Sequence, residues 1–319
     1  MARGKIMPIV PEVSTSRLFV VVNAKAGSSA PEQVRQQMTG LWSGASTDLE
    51  IHETGEGEDI LTVVRLAIQR GFDTIVAAGG DGTVSAVANG VIGSPACLGI
   101  IPLGTANVLA RELSIPRELH ESCALLTGTH EVASIDAMRV DDKHYFTQIG
   151  IGVDAVMIRD TSTEHKKWLG VGAYIWTATL RTIGFRAHRF SISADGQRAR
   201  PRALQVLLAN SGTLGASGLR WGPGVRVDDG KIDVCILRAR TLLNFLSVGW
   251  SVIQGRHKED RNIQYLTAHR TVAVSTDRPL PVQGDGEVLG ETPLEVRVVP
   301  GSLRVVVPVA ASNDKLDNA

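Results

Sequence analysis

Over about the first 130 residues, two patterns of apolar and polar residues alternate along the chain. Short continuous apolar runs, typical of strands buried on both faces, are separated by segments with helical spacing. The predicted strands are residues 17–22, 48–53, 74–76 and 97–101. The predicted helices cover residues 31–40, 59–70 and 84–90. Strands that alternate with helices predict a parallel α/β sheet, in which ligands bind at the carboxyl ends of the strands.

The pattern changes at about residue 134, where helical spacing gives way to short runs bounded by turn signals. This pattern of short runs and turns predicts an all-β sandwich. Asp195-Gly196 is a hairpin-turn signal within it. The predicted strands are residues 145–149, 189–194, 203–209, 232–237, 271–275, 294–299 and 303–307.

Two apolar segments interrupt the β pattern. Residues 166–181 include Trp168, Tyr174 and Trp176 and carry basic residues at both ends, and residues 242–253 precede a basic run. Aromatic side chains flanked by Lys and Arg suit a helix in the interface of a lipid layer. A core helix of the second domain is the other interpretation, and the sequence leaves both open.

Composition narrows the class of protein. The chain has 319 residues, of which 43% are hydrophobic and 21% charged, with a net charge of zero. No overall field therefore draws it to nucleic acid, and any attraction to a membrane must come from a local patch. The three cysteines are few and far apart in the sequence, which indicates a reducing, cytoplasmic compartment. No apolar run is long enough to predict a transmembrane helix.

The segment Gly79-Gly80-Asp81-Gly82-Thr83 lies between a predicted strand and a predicted helix. Glycines let a phosphate approach the backbone, and a helix N-terminus presents free N–H groups. Asp81 can hold Mg²⁺ or its waters, accept a proton, or simply cap the helix, and Thr83 is a second candidate cap. The segment matches neither the P-loop nor the Rossmann fingerprint.

Two further strand-end loops combine glycine with polar side chains. One begins at Asn23 after the first strand, and the other is Pro102 to Asn107 after the fourth. Because the carboxyl ends of parallel strands share one edge of a sheet, the three loops are expected to meet in one crevice. Asn23 could instead close its own turn through its side chain. The fold prediction is thus an α/β nucleotide-binding domain with a Gly-rich strand–turn–helix site, plus an all-β sandwich domain.

The segment Gly79–Thr83 resembles the signature shared by diacylglycerol kinases, sphingosine kinases and NAD kinases. The resemblance extends over about residues 18–308 and rests on five ordered elements: the Asn23 loop, Gly79–Thr83, Gly104–Asn107, Gly222–Asp229 and Asp285–Glu287. The domains it implies cover residues 17–133 and 134–308, with flexible tails at 1–16 and 309–319. The return of the last strand to the first domain is left open.

The resemblance implies that the first domain binds ATP, in a cleft between the two domains. The residues that it places at the nucleotide are Asn23, Ala24, Lys25, Ala26, Gly27, Thr54, Gly79, Gly80, Asp81, Gly82, Thr83, Gly104, Thr105 and Asn107. Three positions depart from the family pattern: Ala24 replaces a usual Pro, Ala86 stands where Glu is frequent, and Val108 replaces an Asp. These departures put the geometry of the nucleotide and the use of metal in doubt.

The second domain carries the implied metal ligand and base. By resemblance, Asp229 binds Mg²⁺ together with the backbone carbonyls of Arg226 and Lys231, although a plain turn is the alternative. Glu287 is the implied general base that takes the proton of a lipid hydroxyl during phosphoryl transfer, and Asp81 is the rival base. Asp136 matches an acid at the start of the second domain, and its alternative role is that of a solvated acid at a strand end.

The resemblance therefore implies an ATP- and Mg²⁺-dependent lipid kinase, with diacylglycerol as the expected acceptor and phosphatidic acid as the product. Alternatives are a sphingoid-base or ceramide kinase, an NAD-kinase-like enzyme, or a non-catalytic lipid or nucleotide sensor. The implied partners are ATP and a lipid at the inner membrane face, where the protein docks transiently, and nucleic acid is not expected. The sequence leaves the oligomeric state open, a homodimer included.

Overall fold

A computed structural model describes residues 17–23, 31–42, 48–152, 187–214, 219–220, 224–238, 244, 247–248, 250–251, 254 and 260–309. The apolar segment 166–181, most of 242–253 and the tail 1–16 lie outside this part of the chain. The chain forms two compact units. Unit 1 comprises Met1–Thr105, Leu113–Ser134 and Leu303–Ala319, and unit 2 comprises Ala106–Glu112 and Ile135–Ser302.

The helices and strands are numbered in chain order. The helices are α1 Pro31–Trp42, α2 Ile60–Gln69, α3 Asp81–Val91, α4 Val108–Glu112 and α5 Leu119–Thr127. The strands up to residue 152 are β1 Arg17–Val22, β2 Asp48–Glu53, β3 Thr74–Gly79, β4 Cys97–Pro102, β5 Glu131–Val140, β6 Lys143–Tyr145 and β7 Gln148–Gly152. The strands between 188 and 237 are β8 His188–Ala194, β9 Gln197–Ala199, β10 Arg202–Ala203, β11 Gln205–Ala209, β12 Thr213–Leu214, β13 Leu219–Arg220 and β14 Ile232–Leu237. The remaining strands are β15 Ile263–Ala268, β16 Thr271–Thr276, β17 Pro281–Gly284, β18 Glu287–Glu291 and β19 Leu294–Val307.

Unit 1 is built on a parallel sheet in the order β2-β1-β3-β4, and Val305 of β19 pairs in parallel with Leu98 of β4. β1, β3 and β4 are buried on both faces, as their continuous apolar runs predict, whereas the edge strand β2 is partly exposed. The indole N–H of Trp42 on α1 donates to the Cys123 carbonyl of α5 at 3.1 Å. A Cβ on Gly90 would lie 2.6 Å from the Val64 side chain, so this glycine lets α3 approach α2 closely.

Unit 2 contains two mainly antiparallel sheets. One has the order β10-β8-β16 followed by the first half of β19, with β9 beside β8, and the other has the order β15-β14-β11-β7-β17-β18. The inward-facing apolar side chains of both sheets form one buried cluster that includes Phe190, Val234 and Val272. An α/β unit followed by a β-sandwich confirms the predicted fold class.

Several predicted strands differ from the structure. The expected strand 145–149 is two strands, β6 and β7, because the N–H groups of Phe146 and Thr147 donate to the Asp285 carboxylate instead of a neighbouring strand. The expected strands 294–299 and 303–307 are one strand, β19, which continues through Gly301 at φ +54°. The sequence patterns do not predict α5 or several of the strands, among them β5, β15, β17 and β18.

Candidate active site

The strand ends of unit 1 bring the predicted nucleotide loops to one edge of the parallel sheet. The Asn23 N–H donates to the Ala78 carbonyl at 3.1 Å, and the Thr54 N–H donates to the Val22 carbonyl at 2.9 Å. The Leu103 N–H donates to the Gly79 carbonyl at 2.9 Å. Backbone hydrogen bonds therefore hold the residues that follow β1, β2 and β4 against the carboxyl ends of the neighbouring strands β1 and β3.

The glycines of the central loop have distinct steric roles. A Cβ on Gly79 would lie 2.4 Å from the Thr83 hydroxyl oxygen, and a Cβ on Gly80 would lie 3.4 Å from the Cα of Gly104. Gly79 thus permits the close packing of β3 against α3, and Gly80 permits the contact with the loop after β4. Gly82 is different, because it is exposed and a Cβ there would meet nothing within 4 Å.

The start of α3 is not capped by a side chain. Its N-cap is Gly80, with extended φ of −91°, and this residue makes no side-chain cap hydrogen bond. The expected cap by Thr83 is wrong, since Thr83 is buried and its hydroxyl accepts a hydrogen bond from the Asn23 side-chain amide at 3.0 Å. Asp81 is the first helical residue and is half-buried. The helix therefore begins at a glycine, and the lack of a side chain there lets an anion approach the positive end of the helix dipole.

The remaining nucleotide candidates fall in three places. Thr54 is half-buried at the sheet edge, and Gly104 and Thr105 follow β4 in unit 1. Asn107 belongs to unit 2, where it is buried in a left-handed conformation at φ +47°. Residues 24–27 lie outside the described part of the chain.

Asp136 fixes the loop that carries the predicted metal ligand. It is only 2% exposed, and its carboxylate accepts hydrogen bonds from the Gly230 N–H at 2.6 Å and the Gly301 N–H at 2.8 Å. Its own N–H donates to the Val227 carbonyl at 2.6 Å. The interpretation of Asp136 as a solvated strand-end acid is therefore wrong. Its place inside β5, itself missed by the sequence analysis, buries it.

Asp229 carries a buried oxygen that has no hydrogen-bond partner in the described part of the structure. Its other carboxylate oxygen lies 3.3 Å from the Lys231 ammonium. Burial raises the pKa of the Asp229 carboxyl, and the positive charge of Lys231 opposes that rise. A buried carboxylate oxygen without a donor fits a hard cation such as Mg²⁺. The described residues contain no cluster of three or more His, Cys, Asp or Glu side chains that could hold a metal.

Asp285 clamps the turn that presents Glu287. Asp285 and Gly286 have φ of +49° and +88°, and they form the two-residue turn between β17 and β18. The Asp285 carboxylate accepts hydrogen bonds from the Phe146, Thr147 and Gln148 N–H groups at 2.7–3.1 Å. It also accepts one from the Thr147 hydroxyl at 2.5 Å. Burial raises the pKa of this carboxyl against the effect of these donors.

Glu287 is the first residue of β18, and its side chain is 48% exposed. Its carboxylate pairs with the Lys143 ammonium at 2.5 Å, and the same ammonium lies 5.6 Å from the centre of the Tyr145 ring. An exposed carboxylate at the rim of a rigid turn can reach a substrate hydroxyl. Both candidate bases are thus on well-defined backbone, Asp81 in unit 1 and Glu287 in unit 2.

Sequence reasoning missed three residues of this region. Lys143 pairs with Glu287 across 144 residues of sequence, and Asp285 was noted only as part of a motif. The buried Asn210 side chain donates to the carbonyls of Asp136 and Phe146 at 3.0 and 2.8 Å. No local pattern signals these contacts, because each partner lies more than 60 residues away in the chain.

Comparison with known proteins agrees with this architecture. The model of the diacylglycerol kinase catalytic domain matches residues 17–140. The model of the YegS C-terminal NAD kinase beta sandwich-like domain matches residues 147–307.

Several relatives match most of the chain. A diacylglycerol kinase from Bacillus subtilis is 28% identical over 92% of this chain and 96% of its own length. A protein from Pseudomonas aeruginosa named "Probable lipid kinase YegS-like" is 32% identical over 92% and 95%. An uncharacterized Synechocystis protein is 29% identical over 83% of this chain, which spans 63% of that protein. A crystal structure from Bacillus anthracis str. Sterne covers 94% of this chain and 98% of its own, with 24% identity and a TM-score of 0.81, which shows the shared fold.

These matches define a phosphotransferase that uses an alcohol group as acceptor. The chain belongs to the diacylglycerol kinase and YegS-like family of lipid kinases. Within the described residues, no helix combines the length and the apolar character needed to cross a membrane.

Proposed function

We propose that the protein uses ATP and Mg²⁺ to phosphorylate a lipid hydroxyl, with diacylglycerol as the acceptor and phosphatidic acid as the product. The observation that carries the proposal is the uncapped start of α3, which lies beside three other strand-end loops at one edge of the sheet of unit 1. The acceptor is inferred from the diacylglycerol kinase of Bacillus subtilis, which matches nearly the whole chain.

The nucleotide half of the proposal rests on unit 1. Phosphate oxygens accept hydrogen bonds from the backbone N–H groups at the start of α3, where the helix dipole also favours negative charge. Gly82 is exposed and leaves room for a phosphate to approach the backbone. We assign the nucleotide to Asn23, Thr54, Gly79–Thr83, Gly104 and Thr105, together with Asn107 and residues 24–27.

The acceptor half rests on Glu287. Its carboxylate takes the proton from the lipid hydroxyl while the hydroxyl oxygen forms the new bond to the γ-phosphorus of ATP. The bond from that phosphorus to the bridging oxygen breaks, and ADP leaves with the electron pair. Phosphoryl transfer depends mainly on position and charge, so the clamp of Asp285 on the preceding turn serves to hold Glu287 in place. Asp81 is the alternative base.

The magnesium part of the proposal rests on the unpartnered oxygen of Asp229. Asp229 would hold the ion together with the backbone carbonyls of Arg226 and Lys231. A bound Mg²⁺ supplies a hard positive charge that neutralises nearby carboxylate oxygen. We expect Mg²⁺ to raise the melting temperature of the wild type and not of Asp229→Asn. The matched control Asp228→Asn, which removes a carboxylate paired with the Arg226 side chain, should keep the Mg²⁺ response.

The test of the function is phosphate transfer from labelled ATP to mixed micelles of diacylglycerol, ceramide, sphingosine and other hydroxyl lipids, with NAD as a soluble acceptor. Label on diacylglycerol would support the proposal. Label on ceramide or sphingosine alone would show that the acceptor is that lipid and not diacylglycerol. Label on NAD alone overturns the lipid acceptor. Bound ATP without any transfer would favour a non-catalytic sensor, an alternative that the departures at Ala86 and Val108 keep open.

We further propose a cytoplasmic protein that docks transiently on the inner membrane face, with a homodimer as one of its possible states.

A further inference from the structure

One face of the β-sandwich in unit 2 carries a group of arginines. The outward side chains of β8, β9 and β10 and of the link between the last two include Arg189, Arg198, Arg200 and Arg202, all of them exposed. Because the chain as a whole has a net charge of zero, this group is a local concentration of positive charge. We call these four residues the arginine face.

The register of the strands places like charges against each other. Arg202 of β10 lies directly opposite Arg189 of β8 in the antiparallel pair. Like charges directly opposite in a sheet destabilise it. Among the described residues, no carboxylate forms an ion pair or hydrogen bond with any of the four guanidinium groups. The arrangement therefore lacks an internal anion that would offset the repulsion.

Two shallow grooves run between these arginines. The larger has a volume of about 510 Å³ and is lined by Arg198 and Arg200, and the smaller, of about 380 Å³, is lined by Arg189, Arg200 and Arg202. Ser191 and Ser275 line both grooves, and Ser193 and Ala273 line the larger one. Serine hydroxyls and guanidinium groups are both hydrogen-bond donors for a phosphate.

Acidic side chains at the grooves are few. Glu295 lines the larger groove and pairs with Arg297 at 3.4 Å. Asp277 lines the smaller groove and lies 3.9 Å from the His188 ring nitrogen. Arginines thus outnumber acids in the lining of each groove, and the face keeps a positive excess.

We propose that the arginine face docks the protein on a membrane that contains anionic phospholipids, with headgroup phosphates bound in the two grooves. Charge complementarity and the flat, open shape of a sheet face favour a lipid surface over a single soluble anion. The inference rests on the proposed lipid acceptor, since a kinase of membrane lipids must approach a bilayer. The arginine face would be the surface that contacts the bilayer, and anionic headgroups would be the part of the lipids that it contacts.

The test is co-sedimentation with vesicles of phosphatidylcholine, with or without phosphatidylglycerol, in the absence of nucleotide and acceptor lipid. The wild type should bind the phosphatidylglycerol vesicles preferentially, and less tightly as salt increases. Each arginine near an anionic surface contributes about fivefold in affinity. The double variants Arg189→Gln/Arg202→Gln and Arg198→Gln/Arg200→Gln should therefore each bind about 25-fold more weakly.

The matched control is Arg65→Gln/Arg117→Gln, which removes the same charge from exposed positions of unit 1 and should bind as the wild type does. Unchanged binding of both test variants, or an equal loss in the control, would overturn the proposal. Displacement by inorganic phosphate beyond that by chloride of equal ionic strength would overturn it too, because it indicates a site for soluble phosphate.

Two readouts separate docking from folding and from catalysis. The melting temperature of Arg189→Gln/Arg202→Gln should equal or exceed that of the wild type, since the change removes a like-charge pair. Transfer to an acceptor dispersed in neutral detergent should be unchanged in both test variants, whereas transfer on phosphatidylglycerol vesicles should fall. The vesicles of the binding assay contain no acceptor, so a failed kinase assay leaves the docking result intact.

Discussion

The two units build their candidate sites from different materials. In unit 1 the site consists of backbone: four parallel strands end at one edge, and glycines keep the start of α3 open. In unit 2 it depends on buried or half-buried carboxylates, of which Asp136 and Asp285 hold backbone N–H groups. A site of backbone donors suits a phosphate ligand, and one of carboxylates suits a cation or a proton. This contrast supports our proposal that unit 1 binds the nucleotide and that unit 2 supplies the base and the metal site.

Glu287→Gln tests this division of labour most strongly. The substitution keeps the shape of the side chain and removes the proton acceptor, so the kcat of lipid phosphorylation should fall by about 10²- to 10⁴-fold. The apparent KM for ATP should change little, because Glu287 is not among the nucleotide loops. Steady-state kinetics at varied ATP and saturating acceptor measure both quantities.

Asp81→Asn is the matched counterpart in unit 1. If Asp81 only helps to bind the nucleotide, its variant should raise the KM for ATP more than it lowers kcat. A kcat loss that is larger in Asp81→Asn than in Glu287→Gln would move the base to unit 1 and end the proposed division.

Asp285→Ala should have the largest effect on stability. Three backbone N–H groups and the Thr147 hydroxyl lose their acceptor, and buried donors without a partner are costly. We expect a loss of about 3–5 kcal/mol in the free energy of unfolding, measured by urea denaturation.

Asp285→Asn provides the control for this experiment. Asn tolerates the left-handed backbone at this position and keeps one acceptor oxygen. Its loss should be smaller, about 1–3 kcal/mol. Equal stability of the wild type and the Ala variant would show that the hydrogen bonds to the Asp285 carboxylate do not stabilise the fold. Unit 2 would then not depend on this carboxylate, and the proposed difference from unit 1 would be wrong.

The difference between the units also explains what could be predicted from the sequence. The strand–glycine–helix site of unit 1 is contiguous, so Gly79–Thr83 predicts its own local geometry, and β1 and β2 were predicted with the bounds observed. In unit 2, Asp136 contacts Gly230 and Gly301 across 94 and 165 residues. No periodicity encodes such contacts. The prediction that Thr83 caps α3 is wrong for a related reason. Its hydroxyl accepts a hydrogen bond from the side chain of Asn23, which lies 60 residues away in the chain.

Gly79→Ala and Gly82→Ala test the backbone site of unit 1 as a matched pair. At Gly79 a Cβ would lie 2.4 Å from the Thr83 hydroxyl oxygen, and overpacking of this kind costs about 1–3 kcal/mol. At Gly82 a Cβ meets open space on a helix, where Ala is favoured over Gly by about 0.5–1 kcal/mol. Urea denaturation should show opposite signs for the two variants.

Nucleotide binding then sharpens the result. If a phosphate lies against the exposed start of α3, Gly82→Ala should weaken ATP binding even though it stabilises the fold, as isothermal titration can measure. A Gly82→Ala variant with both higher stability and unchanged ATP affinity would argue that the phosphates lie elsewhere.

Asp195 is expected to give the smallest effect, and it extends the comparison to a half-buried carboxylate in a turn. It occupies the β8–β9 turn at φ +48° and accepts hydrogen bonds from the His269, Arg270 and Thr271 N–H groups at 2.6–3.0 Å. These donors, His269 first, lower the pKa of its carboxyl in the folded state. A lowered folded-state pKa stabilises the protein above the pKa of the unfolded chain, and this contribution is lost as the pH falls through the folded-state value.

Asp195→Asn keeps the backbone conformation, so it isolates the effect of the charge. At neutral pH the variant should be less stable by about 1 kcal/mol or less, because solvent screens this partly exposed group. As the pH falls below about 4, the difference in stability between the wild type and the variant should disappear. A difference that does not depend on pH would show that Asp195 acts through the geometry of the turn and not through its charge.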